Sequence, residues 1–186
     1  MTRKLILHAG EPAHPPPEST RLAQSLRELG LIAAPLPDQS LAWYAGADFL
    51  SLVIFLGCSP QVEFRPIDAG QAEAGRFCHV RYQNLAHPVL RHAAGRLQPR
   101  CSACRGQLEV GQERVRDWSE GGNRVLCCPA CGQDLRVSEL DWRQAAGCGR
   151  WFLEFWNIHP HEAVPAEALL AALERLAGTP LRYFYE

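Results

Sequence analysis

Four cysteines carry the most distinctive chemistry in the chain: Cys101-Ser-Ala-Cys104, then 23 residues, then Cys128-Pro-Ala-Cys131-Gly132. Two residues between paired cysteines allow a tight turn that points both sulfurs at one ion, with backbone N–H groups directed at the thiolates. Two such pairs complete a tetrahedral four-thiolate donor set, the pattern of a structural metal site. Gly132 supplies backbone freedom at the end of the second turn, and Arg105-Gly106 supplies it one residue later in the first. Cys127 precedes Cys128 on an expected strand, so its side chain should face the other way and pack against the rest of the protein. With four protein ligands the ion has no open position for water or substrate, and its expected role is to stabilise the fold.

Between the pairs, Leu108–Trp118 (LEVGQERVRDW) and Asn123–Cys127 (NRVLC) read as two strands joined across SEGG, which returns the second pair toward the first. Residues 97–140 thus resemble a zinc ribbon of the rubredoxin-like type. Cys128-Pro129-x-Cys131-Gly132 matches that family's knuckle residue by residue; Cys101-x-x-Cys104 matches more loosely, because Arg105 stands where the family has glycine. The resemblance implies structural Zn²⁺ held by Cys101, Cys104, Cys128 and Cys131. Iron is the lesser alternative, since it also accepts four thiolates. Ribbons occur in nucleic-acid-binding, protein-binding and enzymatic settings, so the likeness implies no particular role.

Other chemistry is sparser. His159-Pro160-His161-Glu162 offers two imidazoles and a carboxylate that could ligate a catalytic metal or act as acid and base, although the spacing is not HExxH. His8 and His79 would join that group if their strands were neighbours. Cys58, Cys78 and Cys148 stand singly and read as buried thiols, with Cys58 in the GCSP turn the one to test for reactivity. Six arginines (Arg91, Arg96, Arg100, Arg105, Arg114, Arg116) face only Glu109 and Glu113 across residues 91–116, a patch that could contact phosphates. The alternative is a solvated face, partly neutralised by Asp117, Glu120 and the thiolates. No P-loop, GxGxxG, GxSxG or heptad pattern is present.

Several elements must position these groups. Ser19 or Thr20 can cap a helix with Leu22, Leu26 and Leu29 on one face and Gly30 closing it. Pro165 is placed to begin a second helix bearing Leu169, Leu173 and Leu176, closed by Gly178. Strands are expected at Lys4–Leu7, Leu50–Leu56, Val62–Ile67, Phe77–Tyr82, Trp151–Ile158 and Leu181–Tyr185, with a short helix over Pro88–Ala94. Leu50–Leu56 and Val62–Ile67 would form a hairpin; LIAAPLPDQS and DAGQAEAG read as connections. The aromatic residues of Trp151–Trp156 and Tyr183–Tyr185 are expected mostly in the core.

The fold class that follows is α+β, a small mixed sheet with two or three helices carrying an inserted zinc-ribbon β module. Residues 141–186 hold too little apolar surface to fold alone, so they are expected to join residues 1–95 in one discontinuous body, with 97–140 as the insertion. A formal net charge of −1 excludes a surface built wholly for nucleic acid. Only Lys4 is lysine among the 19 basic residues, a bias that suits planar phosphate or carboxylate contacts but also follows from a G+C-rich gene. The start MTRKLILHAG has a three-residue apolar run, too short for an export signal, and no stretch is long enough for a membrane helix. The expected setting is cytoplasmic, where cysteines serve as thiolates and metal ligands. Function reads as a binding or adaptor module, with nucleic-acid binding and a metal-dependent enzyme using His159, His161 and Glu162 as alternatives; a protein or nucleic-acid partner would be engaged away from membranes.

Overall fold

Leu5, Ile6 and Leu7 are each fully buried, which explains why an apolar run rather than an alternating one makes the first strand: its sheet is covered on both sides there. A computed structural model describes residues 3–57, 62–73, 75–95, 97–120 and 125–186. The fold is α+β. Six strands, β1 (Lys4–Ala9), β2 (Ile32–Pro35), β3 (Ala42–Ala45), β5 (His79–His92), β8 (Ala146–Trp156) and β10 (Leu181–Tyr185), form one sheet in the order β10-β1-β8-β5-β3-β2. Every neighbouring pair is antiparallel. Two short strands, β4 (Val53–Phe55) and β9 (Ala163–Pro165), pair separately.

Helices α1 (Ser19–Glu28) and α5 (Glu167–Ala177) bury Leu22, Leu26, Leu169 and Leu173 in one cluster with Leu5, Leu7, Val80, Leu153 and Phe155 of the sheet. The alternate residues of the same strands, Ile6, Phe152 and Phe184, face the other way and form a smaller cluster with Leu85 and Val89. Because β8 and β10 both flank β1 and run antiparallel to it, they run parallel to each other, joined by α5. Residues 146–185 therefore interleave with residues 4–92 within a single sheet.

Several local expectations give way to non-local pairing. Pro88–Ala94 is not a helix: residues 79–92 are one long strand whose pairing with β8 slips between Asn84 and Val89. Pro88 lies in that irregularity, where no ladder donor is required of it. Leu50–Leu56 divides into a single helical turn, α2 (Phe49–Leu52), and β4, whose partner is β9. Val62–Ile67 forms no strand; residues 58–61, including Cys58 and most of the GCSP turn, lie outside the described residues. LIAAPLPDQS contains β2, and DAGQAEAG contains a short helix, α3 (Ala69–Glu73). The cap of α1 is Glu18, whose carboxylate accepts from Thr20 N (2.9 Å) and Arg21 N (2.7 Å), not Ser19 or Thr20. Pro165 ends β9, and α5 begins only at Glu167.

Between β5 and β8 the chain leaves the sheet at Ala93 and returns at Ala145, where Ala93 N donates to Ala145 O (2.9 Å). This excursion holds α4 (Gln112–Ser119) and a hairpin of β6 (Val125–Cys127) and β7 (Asp134–Arg136). It has its own core: Leu97, Leu108, Val115, Trp118, Leu135, Val137, Leu140 and Trp142, joined by Leu90 and Ala146 of the supporting strands. The expected strand over Leu108–Trp118 is replaced by α4. Val115 and Trp118 are spaced i, i+3 and both buried, with Glu113 in the first turn and Arg116 in the last, so helical periodicity fits this segment better than alternation. Residues 121–124 lie outside the described residues, so only Val125–Cys127 of the second expected strand is seen. Among the described residues no helix is long and apolar enough to cross a membrane.

Candidate metal centre

The two Cys-x-x-Cys turns fold alike. In the first, Arg105 N donates to Cys101 O (2.9 Å) and Cys101 N to Gly106 O (2.9 Å). In the second, Gly132 N donates to Cys128 O (2.8 Å) and Cys128 N to Gln133 O (2.8 Å). The equivalent residues, Arg105 and Gly132, both have left-handed backbone, with φ of 64° and 71°. Arg105 itself, and not Gly106, takes the left-handed conformation. Gly106 is small for another reason: a Cβ there would lie 3.3 Å from Cys104 Sγ and 3.4 Å from Ala130 Cβ. The second turn caps the β6–β7 hairpin, and the first is tied down where Arg100 exchanges backbone hydrogen bonds with Asp141 (2.8 and 3.0 Å).

These turns bring the sulfurs of Cys101, Cys104, Cys128 and Cys131 within 4.8 Å of one another. Cys101 and Cys131 are 3.8 Å apart at sulfur, and Cys104 and Cys128 are 3.7 Å apart. A tetrahedron of thiolates about 2.3 Å from a central ion has edges of roughly 3.8 Å, so the donor set fits a metal ion. Cys101 and Cys128 are buried, while Cys104 and Cys131 are exposed. Cys104 N approaches Cys101 Sγ at 3.5 Å. The N–H groups of Ala130 and Cys131 stabilise the Cys128 thiolate against burial, with help from the Cys131 and Cys104 thiols, and draw it down to about 7. A bound cation would favour the ionised thiolates that ligate it.

Cys127 is outside the cluster, as its strand position predicts, but it is exposed rather than packed against the body. Its sulfur lies 3.6 Å from Gly132 O. Cys78 is buried, and burial pushes its thiol up to about 12; Cys148 is half-buried and pushed up to about 11 for the same reason. Neither is an activated nucleophile.

The residues His159, His161 and Glu162 do not converge. His159 Nδ1 meets the Arg3 guanidinium, Glu162 accepts from His159 N (2.8 Å), and the His161 ring lies 4.8 Å from that of Tyr185. Among the described residues the four cysteines are the one group of three or more His, Cys, Asp or Glu with ligand atoms close enough for one ion. His8, on β1 opposite Phe152 of β8, and His79, on β5 and stacked on Trp156 of β8, lie in separate surroundings. His79 is held by aromatic stacking and by its Nδ1 contact with Phe77 O (2.9 Å).

The arginine patch also divides. Arg91 does not face solvent beside the cysteines. It reaches across the Phe152 ring to ion pairs with Glu154 and Glu186, which Lys4 joins at 2.9 Å from Glu186. Arg105 pairs with Asp141 (3.5 Å), and Arg96 lies outside the described residues. Arg100, Arg114 and Arg116 are exposed. The half-buried ion cluster, with Trp156 Nε1 donating to Glu154 (2.6 Å), has no signal in the sequence. Its members are spread from residue 4 to residue 186, and only sheet pairing brings them together. No family model, curated protein or solved structure matches this chain.

Proposed function

We propose that this chain is a zinc protein whose ion folds a ribbon-like module, and whose role is to bind a partner, not to carry out chemistry at the metal. The observation that carries the metal reading is the four-sulfur cluster with edges of 3.7 and 3.8 Å. Zinc is favoured over iron because nothing in the donor set asks for a redox ion, and all-thiolate tetrahedra are usual for structural zinc. A closed four-ligand site leaves the metal no position for substrate, which supports binding over catalysis.

The test is metal content of the purified full chain. One equivalent of zinc per chain is expected, lost in Cys128→Ser and retained in Cys127→Ser. A chain with no bound metal, or with equal loss in both variants, overturns the assignment. The position of Arg91 in an ion cluster removes one cation from the arginine patch, so that patch lends nucleic-acid binding less support than its composition suggests.

A further inference from the structure

A crevice of about 340 Å³ opens where the segment closing the module, residues 138–144, returns to the sheet beside β1 and β10. His8 lines it. The side chain is 6 % exposed, and its Nδ1 has no hydrogen-bond partner. The ring rests on bare backbone: a Cβ at Gly147 would lie 2.5 Å from His8 Nε2 and 2.6 Å from Phe184 Cδ1. Phe152 and Phe184 pack beside the ring, with centroids at 6.2 and 5.7 Å. An apolar ring would fill this place without leaving a buried polar atom unpaired, which carries a desolvation cost.

The rim has a second unusual feature. Arg143 and Gln144 are consecutive non-glycine residues with φ of 51° and 64°. The strain is held by Arg143 N donating to Asp141 Oδ1 (3.1 Å), Ala145 N to Trp142 O (2.9 Å) and Tyr185 N to Gln144 O (3.0 Å). Left-handed backbone of this kind persists where surrounding structure over-determines it, and it concentrates at functional sites. It sets Arg143 in the lining of the crevice, to which β10 contributes Arg182. The carboxylate in this lining, Asp141, is already engaged with Arg143 N and with the Arg105 guanidinium. Leu140, Leu170 and Tyr183 add apolar wall.

We propose that this crevice binds a small organic anion, its acid group held by Arg143 and Arg182 and its apolar body on Leu140 and Leu170, with the His8 ring in the adjoining wall. The volume lies at the small end of the range for small-molecule sites. Carboxylate and phosphate heads satisfy the arginines alike. His8, Arg182 and Leu170 belong to the sheet and its helix, so the proposal is independent of which metal the cysteines hold.

The test is a titration of the metal-loaded full chain with benzoate, phenyl phosphate and inorganic phosphate, read by imidazole ¹⁵N and backbone amide NMR. Saturable shifts at His8 and along residues 143–147 are expected with benzoate or phenyl phosphate, and the stronger of the two identifies the head group. Arg182→Gln and Arg143→Gln, at exposed positions that leave the fold intact, should each weaken binding about tenfold. Absence of saturable shifts up to about 10 mM of every anion overturns the proposal. So does binding unchanged by both arginine substitutions, or inorganic phosphate binding as tightly as phenyl phosphate.

Discussion

Arg105 holds a left-handed backbone at the turn position where its counterpart is Gly132, and an L-residue there costs roughly 1 kcal/mol or more. Its ion pair with Asp141 offsets little of this, being 3.5 Å long between side chains 75 % and 37 % exposed. Arg105→Gly should therefore stabilise the module by about 0.5–1 kcal/mol, seen as a raised denaturation midpoint of the metal-loaded protein; a lowered midpoint would show that the arginine makes a stronger contact than its geometry implies. His8 gives a second residue-level expectation. Burial pulls its imidazole from 6.5 down to about 4, so the folded state resists a proton that the unfolded chain accepts. Its contribution is intact above 6.5 and is lost as pH falls from 6.5 toward 4, by up to about 3 kcal/mol. Urea midpoints at about pH 7 and about pH 5 should differ less in His8→Phe than in the parent. An equal difference in the two proteins refutes the role of His8.

The elements explain which sequence signals could be trusted. α1 and α5 were legible because their leucines repeat at helical spacing and Gly30 and Gly178, both with positive φ, close them. The helix α4 was not, because LEVGQERVRDW also alternates apolar and polar residues at its start, and only the spacing of Val115 and Trp118 favours the helix. Trp118→Ala should cost about 3–5 kcal/mol of module stability, measured as loss of the module's cooperative unfolding transition at a lower denaturant concentration than in the parent. The start of β8 was hidden by Gly147 and Gly149, residues that read as breakers. Gly147 is required by the His8 and Phe184 rings lying against it, a fact no local pattern contains. Gly147→Ala is expected to destabilise by roughly 1–3 kcal/mol through that overlap, and a neutral effect on thermal stability would contradict the close packing.

At the scale of the whole molecule, two cores are joined through one pair of strands: the sheet and its helices form one, and the excursion between Ala93 and Ala145 forms the other. We propose that the ion stabilises mainly the second. Removing metal with a chelator should erase amide hydrogen-exchange protection in residues 97–142 while β1 and β8 stay protected; simultaneous loss in both regions would show a single cooperative unit. The first body is held partly by the cluster of Lys4, Arg91, Glu154 and Glu186. Glu154 is 3 % exposed, and Arg91 and Trp156 both contact its carboxylate. Burial opposes the charge on Glu186, but the hydrogen bond and charge of Arg91, with Lys4, hold it below the usual carboxylate range. Arg91→Met leaves a carboxylate buried against reduced compensation and should cost about 3 kcal/mol in equilibrium unfolding.

The sequence alone determined the four cysteines as a set, with Cys127 outside it, because Cys-x-x-Cys spacing is a local constraint: two residues fix where both sulfurs point. It determined the α+β class for the same kind of reason, since helical and strand periodicities are read within a few residues. The tertiary structure decided what depends on partners distant in the chain. It set Arg91 against Glu154 and Glu186 rather than among solvent-facing arginines, and it separated His159, His161 and Glu162. It also laid His8 on Gly147 with Arg143 and Arg182 at the rim of one crevice. Those arrangements follow from the register of β1, β8 and β10, and register is set by the packing of whole faces, which no short stretch of residues encodes.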